Sequence, residues 1–151
     1  MSRWNDTLTS KLAHGAVDAL TEVGATQDSI ETFYVPGAFE LPLACLKAAK
    51  TGDFDAIIAL GVVIRGDTPH FEYVAGQAAS GILNASMQTG IPVMFGVITA
   101  DTLQQALDRT GEKGDNKGYE AAMSAVEMVS MFREMDRRNT EFDKKVLPHV
   151  A

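Results

Sequence analysis

Apolar positions early in the chain repeat with a helical period. Leu8, Leu12, Ala16, Leu20 and Val23 recur at steps of three and four, which predicts a helix over 9–23 closed by Gly24. The stretch "ETFYVPG" (31–37) is rich in strand formers and is stopped by Pro36-Gly37. "LPLACLKAAKTG" then predicts a short helix ending at Gly52. "FDAIIALGVVI" (54–64) is a continuous apolar run, too short and too β-branched for a helix with one wet face, so it predicts a parallel strand covered on both sides. Phe71, Val74, Ala78, Ile82 and Ala85 mark the next helix, and "IPVMFGVIT" (91–99) a second buried strand. Asp101 followed by Gln104 reads as an N-cap with a capping-box partner, opening a helix to about residue 110. The glycine-rich turn "GEKGDNKG" (111–118) precedes a long helix over 119–137, with Ala122, Val126, Val129 and Phe132 on one face.

Strands alternating with helices at this spacing predict an α/β fold, a mostly parallel sheet with helices on both faces. Ligands in such folds bind beyond the carboxyl ends of the strands, which directs attention to loops 36–40, 64–70 and 95–101. A length of 151 residues fits one domain, and 46% hydrophobic with 22% charged residues is ordinary globular composition. The net charge of -7 argues against nucleic-acid binding. A single cysteine, Cys45, excludes an intrachain disulfide and reads as a buried thiol. No apolar run approaches the roughly 20 residues of a membrane span, and the polar "MSRWNDTLTSK" is no signal peptide, so the expected compartment is the cytoplasm.

Three segments carry candidate chemistry. In "IRGDTPH" (64–70), a glycine at a strand end and backbone N–H groups leading into a helix suit an anion, Thr68 adds a hydroxyl, and His70 can move protons near neutral pH. The bland alternative is a histidine that merely caps the following helix. In "LDRTGEKGDNKGYE" (107–120), Arg109, Lys113 and Lys117 could hold a phosphate, or could be a solvated basic turn balanced by Asp108, Glu112 and Asp115. In "VPGAFELP" (35–42), the turn exposes backbone at residues 38 and 39, and Glu40 either binds a ligand or complements a helix dipole. Phe95 reads as core, and Trp4 as an exposed aromatic lacking a cover. His14 and His149 read as solvated or locally bonded. Three dispersed histidines and one cysteine make no metal set, and neither a Walker loop nor a dinucleotide fingerprint occurs.

The segments "SRWN", "VPGAFELP", "ALGVVIRGDTPHFEYVA", "GIPVMFGVITADTLQQALDRTGEKGDNKGYEAA" and "AVEMVSMF" resemble the lumazine synthase family, in order and spacing, over about residues 2 to 134. The resemblance implies a three-layer sandwich with a four-stranded sheet in flavodoxin-like order. It implies condensation of 5-amino-6-(D-ribitylamino)uracil with 3,4-dihydroxy-2-butanone 4-phosphate, releasing phosphate and water, with no cofactor or metal. By the same resemblance His70 transfers protons, Arg109 binds the phosphate, and Asp67 and Thr68 complete that pocket. Trp4 stacks on the pyrimidine with Asn5 beside it. Ala38, Phe39 and Glu40 hold the ring and the ribityl chain, Val63 and Ile64 line the pocket, Phe95 comes from a neighbouring subunit, and Lys117 sits near the ring's polar edge. The family's pentamers, often twelve in an icosahedral shell, imply a homopentamer or larger shell with no nucleic-acid or membrane partner. A non-catalytic container retaining the fold is the alternative.

The ends depart from the family pattern, in which a strand precedes the stacking aromatic. Residues 1–138 match the α/β domain and 139–151 read as linker and tail: "RRNTEF" (137–142) reads as a linker that begins at the domain's end, and "KKVLPHVA" (144–151) as a β-like piece. Two readings fit. In a circularly permuted or engineered chain the tail supplies the first strand. In a truncated chain the tail is unrelated and one sheet edge stays open.

Overall fold

The structure is a computed structural model that describes residues 1–146, with side chains through residue 140. Its centre is a parallel pair of strands, β1 (Ile57–Ile64) and β2 (Val93–Ala100), in register from Ile57 opposite Val93 to Ile64 opposite Ala100. Helix α3 (His70–Thr89) makes the crossover between them. Before β1 come α1 (Asp6–Glu22) and α2 (Leu41–Ala49), and after β2 come α4 (Leu103–Leu107) and α5 (Lys117–Val146).

The unbroken apolar run of β1 has its explanation in two cores. Leu60 and Val62 pack with Leu12, Ile98 and Ala122 on the α1/α5 side, while Ala59 packs with Leu41, Ala78 and Val97 on the α2/α3 side. Side chains alternate across a strand, so a strand covered on both faces is apolar at every position. The α/β class and the helices on both faces agree with the sequence reading.

Strand number differs from it. The described sheet has two strands rather than four. Beyond β1 it is extended only by a single parallel bridge between Ser2 and Val35. There Ser2 N–H donates to Leu60 O at 2.9 Å, Arg3 N–H to Val35 O at 2.9 Å, and Val35 N–H to Met1 O at 3.0 Å. Met1 N–H also donates to Phe33 O at 2.7 Å, so among the described residues 1–4 run between "ETFYVPG" and β1, and the pairing with Val35 counts as one bridge and not a strand. Next to the bridge lies an apolar groove between α1 and α2, lined by Met1, Ala16, Leu20, Phe33, Cys45 and Ile58 among others.

Cys45 is buried as expected, and burial pushes its thiol up to about 11. Its raised value means that folding favours the protonated form. This contribution is complete below about pH 9 and is lost as pH rises toward 11. Cys45 is therefore expected to resist a thiol reagent at pH 8 in the native protein and to react at once in denaturant; fast native labelling would contradict its burial.

Two helix ends also differ from expectation. The cap of α4 is Thr102, one residue later than Asp101: its hydroxyl accepts from Gln105 N–H at 3.2 Å, and the Gln105 side chain accepts from Asp101 N–H at 2.8 Å. Helix α5 continues through Val146, across the stretch read as a linker. Polarity alone does not end a helix: 137–146 holds neither Gly nor Pro, and Glu134 receives hydrogen bonds from Arg137 and Arg138 at helical spacing, at 2.9 and 2.7 Å. The remainder of the tail expected to supply a strand, 147–151, lies outside the described residues, as does His149. Among the described residues no helix is long and apolar enough to cross a membrane.

Candidate active site

Asn5 opens α1 from the left-handed region, φ 60° and ψ 43°, which asparagine tolerates better than most residues. Its side-chain amide donates to Val62 O at 2.9 Å, tying the helix start to β1. Trp4 N–H donates to Pro36 O at 3.1 Å, and the indole lies against Gly37 so closely that a Cβ there would stand 2.6 Å from Trp4 Cε3. The other side of the ring is open, the residue being 62% exposed. Glu40 accepts from Gly37 N–H at 2.9 Å, which closes the turn over Ala38 and Phe39. Trp4, Asn5, Ala38, Phe39 and Glu40 thus gather around the carboxyl half of β1, where Val63 and Ile64 are half-buried.

The chain leaves β1 through Gly66, Asp67, Thr68 and Pro69, all exposed, and His70 is the first residue of α3. No side chain caps α3, and among the described residues the His70 imidazole has no hydrogen-bond partner. The capping alternative for His70 is therefore not what the structure shows.

A second group forms at the outer edge of β2. Phe95, Thr99, Arg109, Lys117 and Glu120 line a pocket of about 320 Å³. Arg109 Nη1 donates to Gln105 O at 2.8 Å, and Arg109 O accepts from Lys117 N–H at 3.0 Å. Arg109 has no carboxylate partner among the described residues, so its guanidinium fork is open to an anion. The solvated-turn reading holds instead for Lys113, paired with Glu22 at 2.5 Å, and in part for Lys117, paired with Glu120 at 2.6 Å. The hydrogen bonds from Lys113 and Tyr119 hold the Glu22 carboxyl below its ordinary range. None of the residues around β1 and His70 lines the Arg109 pocket. Phe95 is 44% exposed there, not core.

Sequence reasoning passed over Asn116. It is buried, its Oδ1 accepts from Gly118 N–H at 2.9 Å and Tyr119 N–H at 3.1 Å, and its Nδ2 donates to Lys11 O and Gly111 O, both at 3.0 Å. An asparagine one residue ahead of a helix was the available signal.

An exposed indole, an imidazole at a helix start without a hydrogen-bond partner among the described residues and an open guanidinium make this an α/β protein with a candidate polar ligand site at the carboxyl edge of its sheet. The profile of the 6,7-dimethyl-8-ribityllumazine synthase family matches residues 1–133. The 6,7-dimethyl-8-ribityllumazine synthase of Syntrophus aciditrophicus is 53% identical over 135 residues, covering 89% of this chain and 88% of that one. The enzyme of the same name from Chlorobium luteolum is 49% identical over 135 residues, covering 89% and 87%. The chain belongs to the 6,7-dimethyl-8-ribityllumazine synthase family.

Proposed function

We propose that this protein is an enzyme of riboflavin biosynthesis that condenses 5-amino-6-(D-ribitylamino)uracil with 3,4-dihydroxy-2-butanone 4-phosphate to 6,7-dimethyl-8-ribityllumazine, releasing phosphate and water. The observation that carries the reading is identity at about half of all positions with named synthases over nearly the whole chain. A container without catalysis is not favoured, because the polar residues of the site are all present. Both substrates are small and polar, which suits a cytoplasmic enzyme.

The roles follow from the chemistry. The open face of Trp4 stacks on the pyrimidine, Asn5, Ala38, Phe39 and Glu40 hold the ring and ribityl hydroxyls, and Val63 and Ile64 close the pocket. Attack of the ring amine on the ketone forms an imine, and the departing hydroxyl needs a proton, which His70 delivers. Elimination then expels phosphate. Asp67 and Thr68 cradle it, and Arg109 stabilises its charge. The second amine closes the ring on the carbonyl so produced, and holding both reactants together supplies much of the rate.

Two copies complete one site in this proposal. Phe95, Arg109 and Lys117 share one pocket, apart from the His70 group, so a neighbour's pocket edge meets the His70 loop. The exposed Tyr73, Leu83 and Met87 of α3, and Phe95, Met131 and Met135 elsewhere, supply apolar surface for such contacts. Contacts between unlike faces close into rings, which suits a pentamer or a shell of pentamers.

The test is turnover. Protein given both compounds is expected to form the lumazine, read by absorbance, with one phosphate released for each product; an assembled protein yielding neither would refute the assignment. Because positioning carries much of the rate, His70→Ala is expected to lower kcat about a hundredfold, near the low end for general acid–base catalysis, and to leave measurable product. A fully dead but folded variant would show that proton transfer dominates instead.

A further inference from the structure

We propose that Arg65 is a positioning residue that fixes the phosphate-binding loop, a role that rests on the activity proposed above. Arg65 is the first residue beyond β1. Its N–H donates to Ala100 O at 2.9 Å, which pins the start of the loop to the end of β2. Its side chain reaches two other segments. Nε donates to Asp101 Oδ1 at 2.6 Å, at the junction of β2 and α4, and Nη1 donates to Glu72 Oε1 at 2.7 Å, in the first turn of α3. The guanidinium carbon lies 4.2 Å from the Phe71 ring centroid, in cation–π contact.

Only Gly66, Asp67, Thr68 and Pro69 separate Arg65 from His70. The Arg65–Glu72 and Arg65–Phe71 contacts therefore tie the two ends of that short loop together and present Asp67 and Thr68 between them. The linkage runs further. Asp101 N–H donates to Gln105 Oε1 at 2.8 Å, and Gln105 O accepts from Arg109 Nη1 at 2.8 Å. One bonded path thus joins the loop carrying His70 to the same chain's Arg109, which in the shared-site arrangement proposed above serves the adjoining site.

Arg65 itself is not the anion ligand. Two carboxylates already neutralise it, and their hydrogen bonds hold its charge by raising its pKa. The pairs are exposed, so they add little to overall stability. Their importance is local: without the guanidinium, Asp101 and Glu72 become two uncompensated negative charges beside the site of a phosphate.

Steady-state kinetics and calorimetry with inorganic phosphate on Arg65→Met, Asp101→Asn and the double variant test this. Arg65→Met is expected to raise KM for the butanone phosphate about tenfold at low salt, with kcat and the pyrimidine KM within about threefold. The Kd for inorganic phosphate should rise in parallel, and the amides of 66–68 should exchange faster. Adding Asp101→Asn is expected to recover only part of the lost affinity, by removing one uncompensated charge, while the amides of 66–68 keep exchanging fast because the clamp is still missing. Equal losses for both substrates would indicate a merely structural residue, and weakened phosphate binding with unchanged exchange of the 66–68 amides would make Arg65 a direct ligand; either overturns the proposal. If the unaltered protein makes no lumazine, the assigned activity fails, while phosphate affinity and amide exchange still decide the role of Arg65.

Discussion

Replacing Gly118 by alanine is expected to destabilise the protein by about 3 kcal/mol or more, against a total stability of roughly 5–15 kcal/mol for a domain of this kind. The start of α5 crosses α1 at this residue, and a Cβ on Gly118 would land inside the Leu12 carbonyl group. That obstacle is backbone within α1, which cannot turn aside as a flexible side chain can. Across the same contact, a Cβ on Gly15 would collide with the Asn116 amide, whose four hydrogen bonds join α1, the 111–116 turn and α5. Alanine gains about 1 kcal/mol over glycine in a helix interior, too little to offset forcing the helices apart. Denaturant melts should show a large fall in midpoint for Gly118→Ala and almost none for Gly114→Ala, where nothing lies within 4 Å of the new Cβ. Equal midpoints would mean that the crossing is looser than described.

The second large effect falls on chemistry. Arg109→Ala is expected to lower kcat/KM for the butanone phosphate by about a hundredfold to a thousandfold, the usual loss when a preorganised charge-stabilising donor is removed. The pyrimidine KM should stay near its original value, since the guanidinium is assigned to the phosphate. Arg109 is exposed and, among the described residues, makes one side-chain hydrogen bond, to Gln105 O, so its removal should leave the melt unchanged. Arg109→Lys is expected to recover only part of the loss, because a point charge replaces a planar fork. A small, equal effect on both substrates would move the phosphate elsewhere.

Much of this was legible in the residues. The apolar run of 54–64 declared a strand covered on both faces, and the break at Arg65-Gly66 placed His70 at the start of a helix on the ligand-binding edge. What stayed hidden depends on which distant segments meet. Composition could show Trp4 as exposed, but not that its ring rests on Gly37. Strand-forming content in "ETFYVPG" promised a strand, yet pairing needs a neighbouring backbone, and among the described residues the short segment 1–4 is what lies alongside. Arg65 is an ordinary charge in the sequence. It becomes a clamp only because Asp101 and Glu72 arrive from two other elements. The spacing around Arg109 left a phosphate ligand and a solvated turn both open, and it gave no hint that Arg109 would share a pocket with Phe95 and Lys117 and not with His70.

Sharing of each site between two copies is the claim on which the residue roles depend, and subunit mixing tests it most directly. Arg109→Ala carries an intact His70 side and Glu40→Ala an intact Arg109 side, each variant being weak alone. Dissociated, mixed and reassembled, they should form some sites with both halves intact. Random pairing predicts recovery of about a quarter of the original rate of lumazine formation, well above the average of the two variants. Activity that stays at that average after proven subunit exchange would contradict the account and place the whole site within one chain.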